Sequence, residues 1–102
     1  MDKPRIYVDF NDMLAYNLTL LSKEDTKADS SGNMVTFYEG MPVNVYSDDE
    51  EDGHPDNLIA DGIAVQHDLS KHPYWNHVKW CCLIDENGIR HESDIPPSPR
   101  AV

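Results

Sequence analysis

Clusters of turn-forming residues cut this chain at intervals that leave room only for short segments: Asn11-Asp12, Asp29 to Asn33, Glu39-Gly40, Asp48 to Asn57, His67 to Asn76 and Asn87-Gly88. Gly, Pro, Asn, Asp and Ser each favour chain reversal for their own conformational reasons. Between them apolar residues recur with the period of a strand. Ile6, Val8 and Phe10 share one face of Arg5 to Phe10, and Val78, Trp80, Cys82 and Ile84 share one face of His77 to Asp85. Met34 to Tyr38, Met41 to Ser47 with Val43 and Val45 on one face, and Leu58 to Gln66 complete the set. Pro42 suits a strand start, because it cannot donate to a ladder. Gly62, inside Leu58 to Gln66, suits a bend or bulge that curls a sheet.

Two local pairings and a short helix are expected. Asn87-Gly88 is the preferred dipeptide of a type I′ turn, which would fold His77–Asp85 against the following residues with Asp85 facing Arg90 and Trp80 facing Ile95. Asn17 to Leu21 would return against Arg5 to Phe10 as a hairpin. Ser22, with Asp25 three positions later, would open a short helix. These elements predict a mainly β domain, a small SH3-like barrel of about five to six strands with at most one short helix. An open sheet with one helix packed on it is the alternative. The barrel is expected over residues 1–95, and Pro96-Pro97-Ser98-Pro99 with the rest of 96–102 reads as a disordered tail.

Nineteen Asp and Glu against eight Lys and Arg give a net charge of -11. That charge repels phosphate backbones and anionic headgroups and suits a partner with a basic surface, although acidity also serves solubility alone. The expectation is therefore no direct nucleic-acid or membrane binding. No apolar run reaches the length of a signal-peptide core or of a membrane span, which points to a cytoplasmic protein. Cys81 and Cys82 are adjacent in a strand and point to opposite faces, so they read as reduced structural residues. A monomer or weak dimer is expected, with no cofactor.

Tyr7-Val8-Asp9-Phe10-Asn11-Asp12, Glu39-Gly40-Met41-Pro42-Val43-Asn44-Val45-Tyr46 and Ile89-Arg90-His91-Glu92-Ser93-Asp94 together resemble a group of small uncharacterised bacterial proteins with an SH3-like barrel. The resemblance spans most of the chain. It implies no activity, since that family has none assigned.

The densest chemistry lies in Asp48, Asp49, Glu50, Glu51, Asp52 and Asp56. Asp48, Glu50, Asp52 and Gly53 fall at positions 1, 3, 5 and 6 of a calcium-loop pattern, but Ile59 stands where the pattern needs a bidentate Glu. This stretch reads as an exposed charged loop that contacts another macromolecule, with weak calcium binding as an alternative. Tyr74 and Trp75 supply an aromatic patch for a partner, or else close one end of the barrel. His67, His72 and His77 lack the spacing of a structural zinc site. His91 would sit partly buried beside the core, with Glu92 facing away, so no acid–base pair forms. Nucleophile, phosphate-loop and dinucleotide motifs are absent. The resulting expectation is a non-enzymatic domain that binds another protein, or an acidic decoy of a basic nucleic-acid-binding surface.

Overall fold

A computed structural model of the chain describes residues 3–51, 53–67 and 78–94. In chain order the strands are β1 (Ile6–Tyr7), β2 (Met13–Ala15), β3 (Leu18–Ser22), β4 (Thr26–Ala28), β5 (Met34–Thr36), β6 (Pro42–Ser47), β7 (Glu50–Glu51), β8 (His54–Pro55), β9 (Leu58–Gln66), β10 (Trp80–Ile84) and β11 (Arg90–His91). A single 3₁₀ turn, Glu92–Asp94, follows. The protein is mainly β, as the spacing of its turns predicted.

The nine-residue β9 is the axis of the main sheet, whose order is β1-β6-β9-β10-β3-β2. β6 runs antiparallel along one edge of β9, from Pro42 opposite Ile63 to Ser47 opposite Leu58. β10 takes the other edge, from Trp80 opposite Gln66 to Ile84 opposite Gly62. The core-facing positions of β9 are Ala60, Gly62 and Ala64, so small that the sheet can curl over this face. Val43, Val45, Trp80, Cys82 and Ile84 pack there with Ile6 and Val8. The result is a curled half-barrel.

Among the described residues no ladder joins β1 to β2, and the open side is covered by the β4–β5 hairpin. Phe37, just past β5, drops into the core with its ring 6.1 Å from that of Trp80. Its N–H donates to the Asp25 carbonyl at 2.8 Å, while the Trp80 indole N–H donates to the Asp25 carboxylate at 3.0 Å. Lys79 reaches the same carboxylate at 2.8 Å, and the two donors hold Asp25 below its ordinary pKa, Lys79 foremost. At the hairpin's far end Ser30 N–H donates to the Arg5 carbonyl, and Arg5 N–H donates to Ser30 Oγ.

Lys27 stitches the seam. Its ammonium donates to the Tyr7 carbonyl on β1 at 2.6 Å and to the Leu21 carbonyl on β3 at 2.9 Å. Leu21 is the extra residue where β3 slips against β10, between the pairs Trp80 with Ser22 and Cys81 with Leu20. Burial of the ammonium pulls the Lys27 pKa down. Lys27→Met keeps the apolar stem but removes both bonds. It is expected to cost about 2 kcal/mol, read as a lower urea midpoint at unchanged slope.

Two expected pairings and the expected helix are corrected. Asn87-Gly88 does not make a hairpin: β11 pairs with β9, Arg90 opposite Ile59 and His91 opposite Leu58. Both edges of β10 are already taken by β9 and β3, so the chain leaves Ile84, turns, and rejoins β9 further along the edge it had been following. Asp85 shapes that turn, its carbonyl accepting Gly88 N–H and its carboxylate accepting Asn87 N–H. The Asn17 to Leu21 segment is a strand, but its hairpin partner is the nearer β2, and β1 pairs parallel with β6 instead. No helix starts at Ser22. Its hydroxyl accepts from Glu24 N–H and donates to the Glu24 carbonyl, a local turn that delivers Thr26–Ala28 into β4. The predicted tail at 96–102 and the position of Ile95 lie outside the described residues.

Candidate interaction site

The acidic segment expected to be a plain loop carries a ladder of its own. β7 and β8 pair antiparallel, Glu50 opposite Pro55 and Glu51 opposite His54, and make a short tongue between β6 and β9. Gly53 turns it with φ of 79°. Asp49 and Asp56 stand at the two roots, joined by a bond from Asp56 N–H to the Asp49 carbonyl at 3.0 Å.

Both roots are fastened to the segment that follows β10. Asp49 Oδ2 lies 2.8 Å from His91 Nε2. Asp56 accepts twice from Ser93, its backbone N–H at 3.0 Å and its hydroxyl at 2.7 Å. Glu92 N–H donates to the Asn57 carbonyl at 2.7 Å. Asp94 Oδ2 sits 4.0 Å from His91 Nδ1, so the imidazole stands between two carboxylates. The hydrogen bond to Asp49 raises the His91 pKa; the charges of Asp56, Asp49 and Asp94 add to this, and burial partly opposes it. The Ser93 hydroxyl and N–H hold the Asp56 carboxyl below its ordinary value.

Of the residues singled out in the sequence, Asp48 is exposed ahead of the tongue, Asp49 and Asp56 are its roots, and Glu50 and Glu51 form β7. Asp52, Tyr74 and Trp75 lie outside the described residues. His91 is half-buried as expected, but its ring meets the tongue root Asp49 and does not lie on the face of Ile84, since β11 lies beside β9 and next to the connection that leaves β6. Ser93 was missed altogether. Its only sequence signal was its place two residues beyond a histidine in an acidic stretch.

Other chemistry is less organised. Ile59, at the calcium pattern's last position, is 0% exposed in β9 and has no oxygen to offer. Among the described residues no three His, Cys, Asp or Glu side chains converge as a metal site. Cys81 and Cys82 are free and buried, and burial pushes their thiols up to about 11 and about 12, so both stay protonated at neutral pH. Cys81 Sγ lies 3.7 Å from His67 Nδ1. A cleft of about 510 Å³ opens beside Lys27, with Val8, Leu20 and Leu21 as apolar lining and Asp9, Asp12 and Glu24 among its charged residues. Lys23 and Lys27 also line it, so its charge selects neither an anion nor a cation.

Opposite the core, Asp61 gathers cations: Arg5 at 3.0 Å, Arg90 at 3.7 Å and Lys3 at 3.9 Å. Arg5, 1% exposed, also donates to the carbonyls of Val45 and Ala60 at 3.3 and 3.1 Å. This group joins β1, β6, β9 and β11 and has a structural role.

No helix among the described residues is long and apolar enough to cross a membrane. No family model, curated protein or solved structure matches the chain.

Proposed function

We propose that this is a non-enzymatic interaction domain that presents the acidic tongue to a basic surface on another protein. The observation that carries the reading is the fastening of both tongue roots, Asp49 to His91 and Asp56 to Ser93. A charge run that serves only solubility gains nothing from being held in a fixed shape. A tongue whose roots are fastened loses less backbone freedom on binding, which favours association. The protein's net charge of -11 would speed encounter with a cationic partner.

The test is capture from the native host by wild type and by a D48N/E50Q/E51Q variant, which removes three charges on and just ahead of the tongue and leaves both roots intact. A basic protein should bind wild type at low salt and leave as the ionic strength approaches 1 M, where the Debye length is about 3 Å. The variant should bind that protein about tenfold more weakly, a difference of about 1.4 kcal/mol. Equal capture by both proteins that also survives high salt would sink the reading and leave the acidity to solubility. Binding lost with salt but untouched by the variant would move the contact to another acidic face, as the decoy reading expects.

A further inference from the structure

We propose that Lys27 is a covalent attachment site: its amine, opening on the cleft beside β4, takes up a neutral aldehyde with an apolar body as an iminium. The argument starts from the nitrogen. Nζ donates to the Tyr7 carbonyl at 2.6 Å and to the Leu21 carbonyl at 2.9 Å, and among the described residues no third acceptor reaches it. With Cε, those two bonds occupy three of its four tetrahedral positions. The fourth is left to the cleft, which Lys27 lines. A neutral amine has two hydrogens and one lone pair, so losing a proton keeps both carbonyl bonds and turns the lone pair toward the cleft. The bonds that hold the side chain therefore aim the nucleophile. Burial favours that neutral form.

The cleft selects the electrophile. It holds about 510 Å³, with Val8, Leu20, Leu21 and Val78 as its apolar wall. Val8 and Leu21 belong to the core cluster, so the wall is continuous with the interior. Of the charged groups along it, Asp9, Asp12 and Glu24 oppose Lys23 and Lys27, and the phenol of Tyr7 is neutral. An uncharged body that buries apolar surface suits such a lining better than an ion of either sign.

In the reaction the Nζ lone pair bonds to the carbonyl carbon while the carbonyl π pair moves to oxygen. That oxygen takes the surplus proton of the nitrogen through solvent at the cleft mouth, giving a carbinolamine. A further proton from solvent lets the hydroxyl leave as water. One amine, one aldehyde and one proton thus give an iminium and water, with nothing oxidised or reduced. The iminium carries the charge that the ammonium carried, and Asp9, Asp12 and Glu24 remain beside it. Its nitrogen keeps one hydrogen, so attachment leaves the seam between β1 and β3 with one carbonyl bond where there were two.

The experiment treats the full chain at pH 7 with hexanal and cyanoborohydride, which reduces the iminium and fixes it, and maps the adducts by peptide mass spectrometry. Lys27 should be labelled about tenfold faster than Lys23, which is exposed at the same cleft, a preference of about 1.4 kcal/mol. Formaldehyde, with no body to bind, should show a smaller preference. Leu20→Trp, which narrows the cleft, should bring hexanal labelling of Lys27 down toward the Lys23 rate and leave formaldehyde labelling unchanged. In urea the preference should vanish. A Lys27 rate at or below that of Lys23 would overturn the site, as would a preference that persists in urea and so belongs to local sequence. Equal preferences for hexanal and formaldehyde would overturn the apolar ligand class. Should Leu20→Trp not fold, the comparison of the two aldehydes on wild type decides alone.

Discussion

Gly62→Ala is expected to destabilise the domain by about 3 kcal/mol or prevent its folding, although it adds one methyl group. Gly62 lies in β9 opposite Ile84 of β10. A Cβ built there would run into the carbonyl oxygen of Leu83 and stand 2.8 Å from the Leu83 carbonyl carbon and 3.0 Å from Ile84 Cα. These are backbone atoms of the neighbouring strand, so no side chain can rotate aside. Either β10 retreats from β9 and gives up ladder bonds, or the curl of the sheet opens. Gly88→Ala is the control. It has open space around it but φ of 67°, so its cost should be that of the backbone alone, about 1 kcal/mol. Urea unfolding of both variants decides the matter, and equal losses would show that the Gly62 contact relaxes freely.

Arg5→Met should cost about 3–5 kcal/mol, the range for breaking a buried ion pair by removing one partner. The guanidinium is buried, and one of its nitrogens serves the Val45 and Ala60 carbonyls and the Asp61 carboxylate. Methionine fills much of the volume but leaves those acceptors without Arg5, and Asp61 keeps only the more distant Lys3 and Arg90. Arg5→Lys restores the charge, but its shorter reach leaves the ammonium short of the place where the guanidinium nitrogen serves all three acceptors, so it should fall between wild type and Met. Asp61→Asn should cost less than Arg5→Met, because Arg5 keeps its two carbonyls. Thermal and urea unfolding of the three variants should give that order; a silent Arg5→Met would remove the guanidinium from the account of stability.

Periodicity made the strands legible because it records which face of each segment is buried. β9 was read with its observed limits, and Val78, Trp80, Cys82 and Ile84 are all buried as their alternation required. Periodicity does not record which strand lies alongside. Asn87-Gly88 carried a strong local signal that lost to the edges already filled on β10, and β1 found its neighbour in β6, far along the chain. Arg5 is the clearest failure of alternation. It falls on the face away from the core and is buried nonetheless, because Asp61 and two carbonyls receive it there. The acidic residues of the site were visible as a cluster. What fastens them was not, because Asp49 and His91 meet across 42 positions and Asp56 and Ser93 across 37.

The parallel pairing of β1 with β6 also sets an order of events in synthesis. β1 leaves the ribosome before the strand it must lie beside, and β6 in turn needs β9 for its other edge. Contacts so distant along the chain form late and slowly, since loop closure precedes any gain from the ladder. Until then Ile6 and Val8 stay uncovered and Arg5 has no Asp61 to meet. Of these three strands the one made first is thus placed only after the others, and the nascent chain carries it exposed until β9 has emerged.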